Sequence, residues 1–184
     1  MAARESLEEA TRIAPQMMSG HMKLAEIYTK RGEHDLAIER YRVALTVKPN
    51  DLVALNNLAY ALSVHRNEHA EALALARRAV VIGKSDGSVL DTVAWIEHQM
   101  GDTATAAKRI SDAVRRKPEN PDIRLHAAII YGAVGALDQA RIELEEALRL
   151  NEEFAERDDV RDLQARIAAV RTRRPNAVAP APNP

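Results

Sequence analysis

Residues 24–49 read LAEIYTKRGEHDLAIERYRVALTVKP. Leu24, Ile27 and Tyr28 recur at helical spacing on one side of Gly32, and Ala37, Tyr41 and Ala44 do so on the other. Glycine suits the left-handed residue that closes a helix, so Gly32 predicts the end of a first helix. Proline cannot continue a helix, so Pro49 predicts the end of a second. The stretch therefore predicts two helices folded back on each other, with small residues on the second that let the two backbones approach.

The same arrangement returns along the chain. One alanine series runs Ala3, Ala37, Ala72, Ala106, Ala140, with steps of 34, 35, 34 and 34. A second, Ala10, Ala44, Ala79, Ala113, Ala147, takes the same steps. Between them lies a third place, held by Leu7, Tyr41, Ala76, Ile110 and Leu144. Prolines fall at Pro15, Pro49 and Pro118, and glycines at Gly32, Gly101 and Gly135. A helix pair cannot bury its own apolar face, so such units must stack on their neighbours into a solenoid.

Composition agrees with an all-α chain. Aromatic residues are 3% of the 184, and the dominant Ala, Leu, Glu and Arg favour helix over strand. A formal net charge of −1 argues against nucleic acid, which wants a basic face. With no cysteine, disulfides, thiolate metal sites and cysteine nucleophiles are excluded. No apolar run reaches membrane-spanning length, and the first residues lack the pattern of a signal peptide. A soluble chain, cytoplasmic or periplasmic, without direct membrane insertion, is expected.

These places resemble the tetratricopeptide-repeat (TPR) family over roughly residues 1–154. In the quoted stretch the family's signature places hold Leu24, Ala25, Tyr28, Gly32, Ala37, Tyr41, Ala44 and Pro49. The fourth unit matches with Ala128, Tyr131, Gly135, Ala140 and Ala147. There are two departures: an extra residue and no glycine around His65–His69, and Glu97 where the family has Tyr. The resemblance implies an all-α, right-handed superhelical solenoid of about ten helices. NNLAYALSVHRNEHAEALALARRAV and SVLDTVAWIEHQMGD also resemble the C-terminal TPRs of bacterial proteins linked to exopolysaccharide and PEP-CTERM sorting systems.

The expected division is a half-repeat at 2–15, full repeats at 18–51, 52–86, 87–120 and 121–154, and a capping helix at 157–171. Val160, Leu163, Ile167 and Val170 would share one face of that last helix. The Pro/Ala-rich stretch 172–184 is expected to be extended or disordered. The lone first helix suggests a piece of a longer array. It would expose Ala3, Leu7 and Ala10, inviting a homodimer through residues 2–14.

Motifs that could carry chemistry have structural readings. His65-Arg66-Asn67-Glu68-His69 matches H-x-x-E-H, but that metal motif needs one continuous helix, and here it straddles a turn. Gly83-Lys84-Ser85 resembles the end of a phosphate loop, yet Arg78 stands where the earlier glycine belongs. No catalytic residue, cofactor or metal is expected, and the chain reads as a binding module rather than an enzyme.

In the family, first helices line a concave groove that takes extended peptides or helices. Carried over residue by residue, the groove places are Met22 and Glu26; Asn56, Asn57, Tyr60 and Ser63; Asp91, Trp95 and His98; and Leu125, Ile129 and Gly132. Some TPRs clamp a chaperone's C-terminal carboxylate. Here Asn57 fits one clamp place, but Met22, Glu26, Ser88 and Thr92 replace the others and leave the carboxylate no cation. The groove is expected to be an uncharged stripe of Tyr60, Trp95 and Ile129, flanked by Asn56, Asn57 and Asp91. The expected function is a scaffold binding a protein or peptide. The alternative is a self-assembly module in an envelope or exopolysaccharide-related complex.

Overall fold

Helix α1 (Ala2–Ile13) is followed by four pairs: α2 (Met18–Lys30) with α3 (His34–Val47), α4 (Leu52–Arg66) with α5 (His69–Gly83), α6 (Gly87–Gln99) with α7 (Thr103–Arg116), and α8 (Pro121–Ala133) with α9 (Leu137–Leu150). A 3-10 turn (Glu152–Glu156) leads into α10 (Asp158–Arg173). These come from a computed structural model that describes residues 2–84 and 86–173, and no strand occurs among them. The last helix runs past its expected end at 171 to Arg173. The stretch expected to be extended lies, from residue 174 on, outside the described residues.

Local chemistry sets the helix ends. Gly32, Gly101 and Gly135 have φ of 73°, 89° and 78°, the left-handed backbone that glycine adopts without steric cost. The N–H of the residue after each glycine then reaches back to close the preceding helix. Glu33 N–H donates to Tyr28 O at 2.9 Å, and Asp102 N–H to Glu97 O at 2.9 Å. In unit two Asn67 does the glycine's work at φ 56°. There Glu68 N–H reaches Leu62 O at 3.1 Å, spanning one residue more than in the other units. The extra residue is thus absorbed in the turn. At the other ends Asp51, Asp86 and Asn120 cap α4, α6 and α8 with side-chain oxygens, accepting from Ala54 N, Ser88 N and Ile123 N.

The turn also dismantles the H-x-x-E-H match. His65 belongs to α4, where it stacks on His34 with centroids 3.4 Å apart. His69 belongs to α5 and shares a hydrogen bond of 3.0 Å with Ser63 Oγ.

Packing follows the repeat. Ala37, Ala72, Ala106 and Ala140, and likewise Ala44, Ala79, Ala113 and Ala147, are no more than 1% exposed. They sit where paired helices cross too closely for a larger side chain. Glu97, the departure from the family's Tyr, is held by Arg109 Nε and Nη2 at 2.9 and 2.8 Å. Helix α6 contacts α4, α5, α7 and α8. Accordingly all eight residues from Val89 to Ile96 are buried, as in a helix surrounded on every side.

The N-terminal edge departs from expectation. Leu7 and Ala10 are half-buried, because Leu7 packs against the first core cluster, and Ile13 is the residue left exposed.

Candidate functional site

The first helices of successive pairs, α2, α4, α6 and α8, together with His34, Ala37 and Tyr41 of α3, line a concave groove with a cavity of about 500 Å3. Its wall is polar. Glu26, Asn56, Asn57, Tyr60 and Asp91, all expected there, do line it. So do Thr29, Lys30, His34, His65, Ser88, Thr92, Asp122 and His126, which were not assigned to it. Asn57, Thr92 and His126 occupy one repeat place, at steps of 35 and 34. In the sequence Asn57 reads as a groove contact and Thr92 only as a clamp place, and the same periodicity points to His126.

Seven expected residues do not line this cavity. Leu125 is 1% exposed and packs with Phe154, Val160 and Leu163, because the closing segment folds over that place in the last unit. Trp95 is buried in the second core cluster, with His126 lying over it. Ile129 is half-buried between the second and third clusters. Met22 packs against the first cluster. His98 is turned toward the end of its own helix, where Nδ1 meets Thr103 Oγ1 at 3.1 Å. Ser63 and Gly132, also assigned, are buried as well; a Cβ on Gly132 would meet Leu163 Cδ1 at 2.5 Å. The expected aromatic stripe is therefore reduced to Tyr60, with His126 beside it at a centroid distance of 6.0 Å.

The two ends of the groove differ in charge. Toward α2, Glu26 accepts from Lys23 and Lys30 at 2.7 and 2.8 Å, and these ammonium groups hold its carboxyl down at about 2. Beside it His34 and His65 stack, and burial first, then the neighbouring imidazole, lowers the pKa of His65. Toward α8, His126 Nδ1–H donates to Asp91 Oδ1 at 2.9 Å, both side chains being buried. Burial, then the charges of Asp91 and Asp122, push the Tyr60 phenol up.

Among the described residues no hydroxyl is bound to the Asp91–His126 pair. Ser63 bonds His69, Ser88 Oγ accepts from Lys117 Nζ at 2.7 Å, and Thr92 has no hydrogen-bond partner among the described residues. Of five buried polar atoms without a partner among the described residues, two belong to residues expected in the groove: Asn56 Oδ1 and Trp95 Nε1. Asn56 lines the groove, while its unpaired Oδ1 is turned away from solvent behind the wall.

Two models of the tetratricopeptide repeat match the chain, over residues 97–167 and 1–51. The chain belongs to the TPR family. A TPR repeat-containing protein of Pseudomonas aeruginosa is 24% identical over 118 residues, 64% of this chain and 20% of that protein. The chain thus spans about a fifth of that relative. Among solved structures, a thermophilic TPR protein of Thermus thermophilus superposes with a TM-score of 0.69 at 22% identity, covering 93% of this chain and 90% of that one. PilW, a type IV pilus biogenesis factor, gives 0.71 at 19% identity, covering 91% and 84%. YrrB, a TPR protein with an unusual peptide-binding site, gives 0.62 at 14% identity, covering 93% and 95%. These likenesses establish the TPR solenoid. Among the described residues no helix is long and apolar enough to cross a membrane.

Proposed function

We propose that this TPR solenoid is a protein-interaction module that holds an extended peptide segment of a partner in its concave groove. The observation that carries the reading is Asn56. Its Oδ1 is buried without a partner in the wall of a groove built from four successive first helices. A buried acceptor left unpaired costs about 1–3 kcal/mol, and a backbone N–H of a bound segment would recover that loss once the carboxamide turns toward the groove. Asn57 contributes a second carboxamide, tied loosely to Tyr41 at 3.4 Å. An extended segment offers backbone donors and acceptors along its length, whereas a helix has used its own.

The test is a fluorescence-polarisation screen of acetylated, amidated octapeptide pools, with Asn56→Ala and Tyr60→Ala as variants. Binding should weaken about fivefold or more in each variant while far-ultraviolet circular dichroism stays unchanged. Binding untouched by both would place the ligand outside the groove. A concentration-dependent oligomer in sedimentation, with no pool bound, would replace this reading with a self-assembly module.

A further inference from the structure

The α6–α8 end of the groove holds a recess whose chemistry goes beyond a general peptide reading. Asp122 and His126 are four residues apart on α8 and so share a face. Asp91 Oδ1 accepts from His126, which leaves its second oxygen without a hydrogen bond among the described residues. Tyr60 stands across from His126, and its hydroxyl makes no hydrogen bond among the described residues. Thr92 is 3% exposed, lines the same cavity, and its hydroxyl is likewise unpartnered. Two carboxylates, an aromatic ring and two idle hydroxyls therefore surround one space.

No Lys or Arg lines this end. Lys30, the one such cation in the wall, lies on α2 and is bound to Glu26. The charge of Arg157 reaches Asp122 and Tyr60, but its guanidinium is paired twice with Asp159 at 3.0 and 2.7 Å. Lys117 lines an adjoining cavity, where its Nζ is held by Asp86 and by Ser88 of the groove wall. Asp91 bonds the His126 imidazole, and neither Asp91 nor Asp122 is bonded by a lysine or arginine among the described residues. Burial first, and then the charges of Asp91 and Asp122, push the Tyr60 phenol up, so both carboxylates act at the recess.

We infer that this recess receives a lysine or arginine side chain of the bound segment, with its charged head between Asp91 and Asp122. The free Asp91 oxygen and the Asp122 carboxylate accept its N–H groups, the Thr92 and Tyr60 hydroxyls take the remainder, and the Tyr60 ring offers a face to the cation. This is the reverse of a carboxylate clamp, in which cations on the protein hold an acidic end. The inference rests on the groove reading above.

The test uses the same octapeptide pools with one fixed position: Arg, Lys, norleucine or Glu. At 50 mM salt (low enough that screening is weak) the Arg and Lys pools should bind about fivefold or more tighter than norleucine, and the Glu pool weakest. Asp122→Asn should bring the Arg and Lys pools to within about twofold of norleucine, leaving the norleucine pool unchanged. Glu153→Gln, which removes an equal charge outside the groove, should preserve the preference. Pools that bind through Asn56 and Tyr60 with no basic preference would overturn this inference and leave the groove reading standing. No binding by any pool would overturn both. Arginine amide alone competing as well as the peptides would identify a small cation as the occupant and overturn the peptide assignment.

Discussion

His126 lies nearly flat on Trp95, with ring centroids 4.2 Å apart and an interplanar angle of 23°. Its Nδ1–H is fixed by Asp91 at 2.9 Å. One contact joins α6 to α8 by stacking and the other by a charge-assisted hydrogen bond, so the wall at this end of the groove is braced across two units. Trp95 supports the groove from behind.

That role makes Trp95 a core residue. Trp95→Ala should lower the stability of the chain by about 3 kcal/mol or more, within the usual range for a buried tryptophan. The check is the urea unfolding midpoint followed by circular dichroism, since Trp95 is the one tryptophan of the chain. A midpoint unchanged from the parent, with peptide binding lost, would make Trp95 a ligand contact after all.

Ala44 and Ala113 have no exposed surface, and each sits at a close helix crossing. Ala44→Leu and Ala113→Leu should each cost about 1–3 kcal/mol by overpacking. Thermal unfolding of the two variants measures this. Midpoints equal to the parent's would mean that the crossings have room.

Asn67 carries left-handed backbone at φ 56° where other units use glycine. Asn67→Gly should be tolerated, whereas Asn67→Val should lose about 1–2 kcal/mol, since a β-branched residue is disfavoured there. Equal stability in the two variants would show that the turn relaxes out of that conformation.

The stacked His34–His65 pair predicts a pH dependence. Burial, then His34, lowers the folded-state pKa of His65. Between that value and the ordinary one near 6.5 the unfolded chain binds more protons than the folded chain. Stability should therefore hold above about pH 6.5 and decline as the pH falls through and below it. His98, lowered by burial and then by His126, acts in the same direction. Melting temperatures at pH 7.5 and 5.5 should differ less in His65→Gln than in the parent. An equal difference would remove the pair as the cause.

The sequence by itself determined the solenoid. Gly, Pro and Ala sit at fixed steps because a left-handed cap, a helix stop and a close crossing each accept few residue types, and those constraints act locally in every unit. The family's groove places also follow from the repeat, and they gave Glu26, Asn56, Asn57, Tyr60 and Asp91. What periodicity lacks is knowledge of which neighbours differ. Leu125 holds the same repeat place as Asn56 and Asp91, yet it is covered by Phe154 and Leu163, because the last unit meets a closing segment instead of another pair. Trp95 holds the place of Glu26 and Tyr60, yet it is roofed by the ring of His126 from the next unit. Only tertiary structure decides such cases, because burial of a side chain depends on what the adjoining unit places over it, and that residue lies some 34 positions away with no constraint from the local helix.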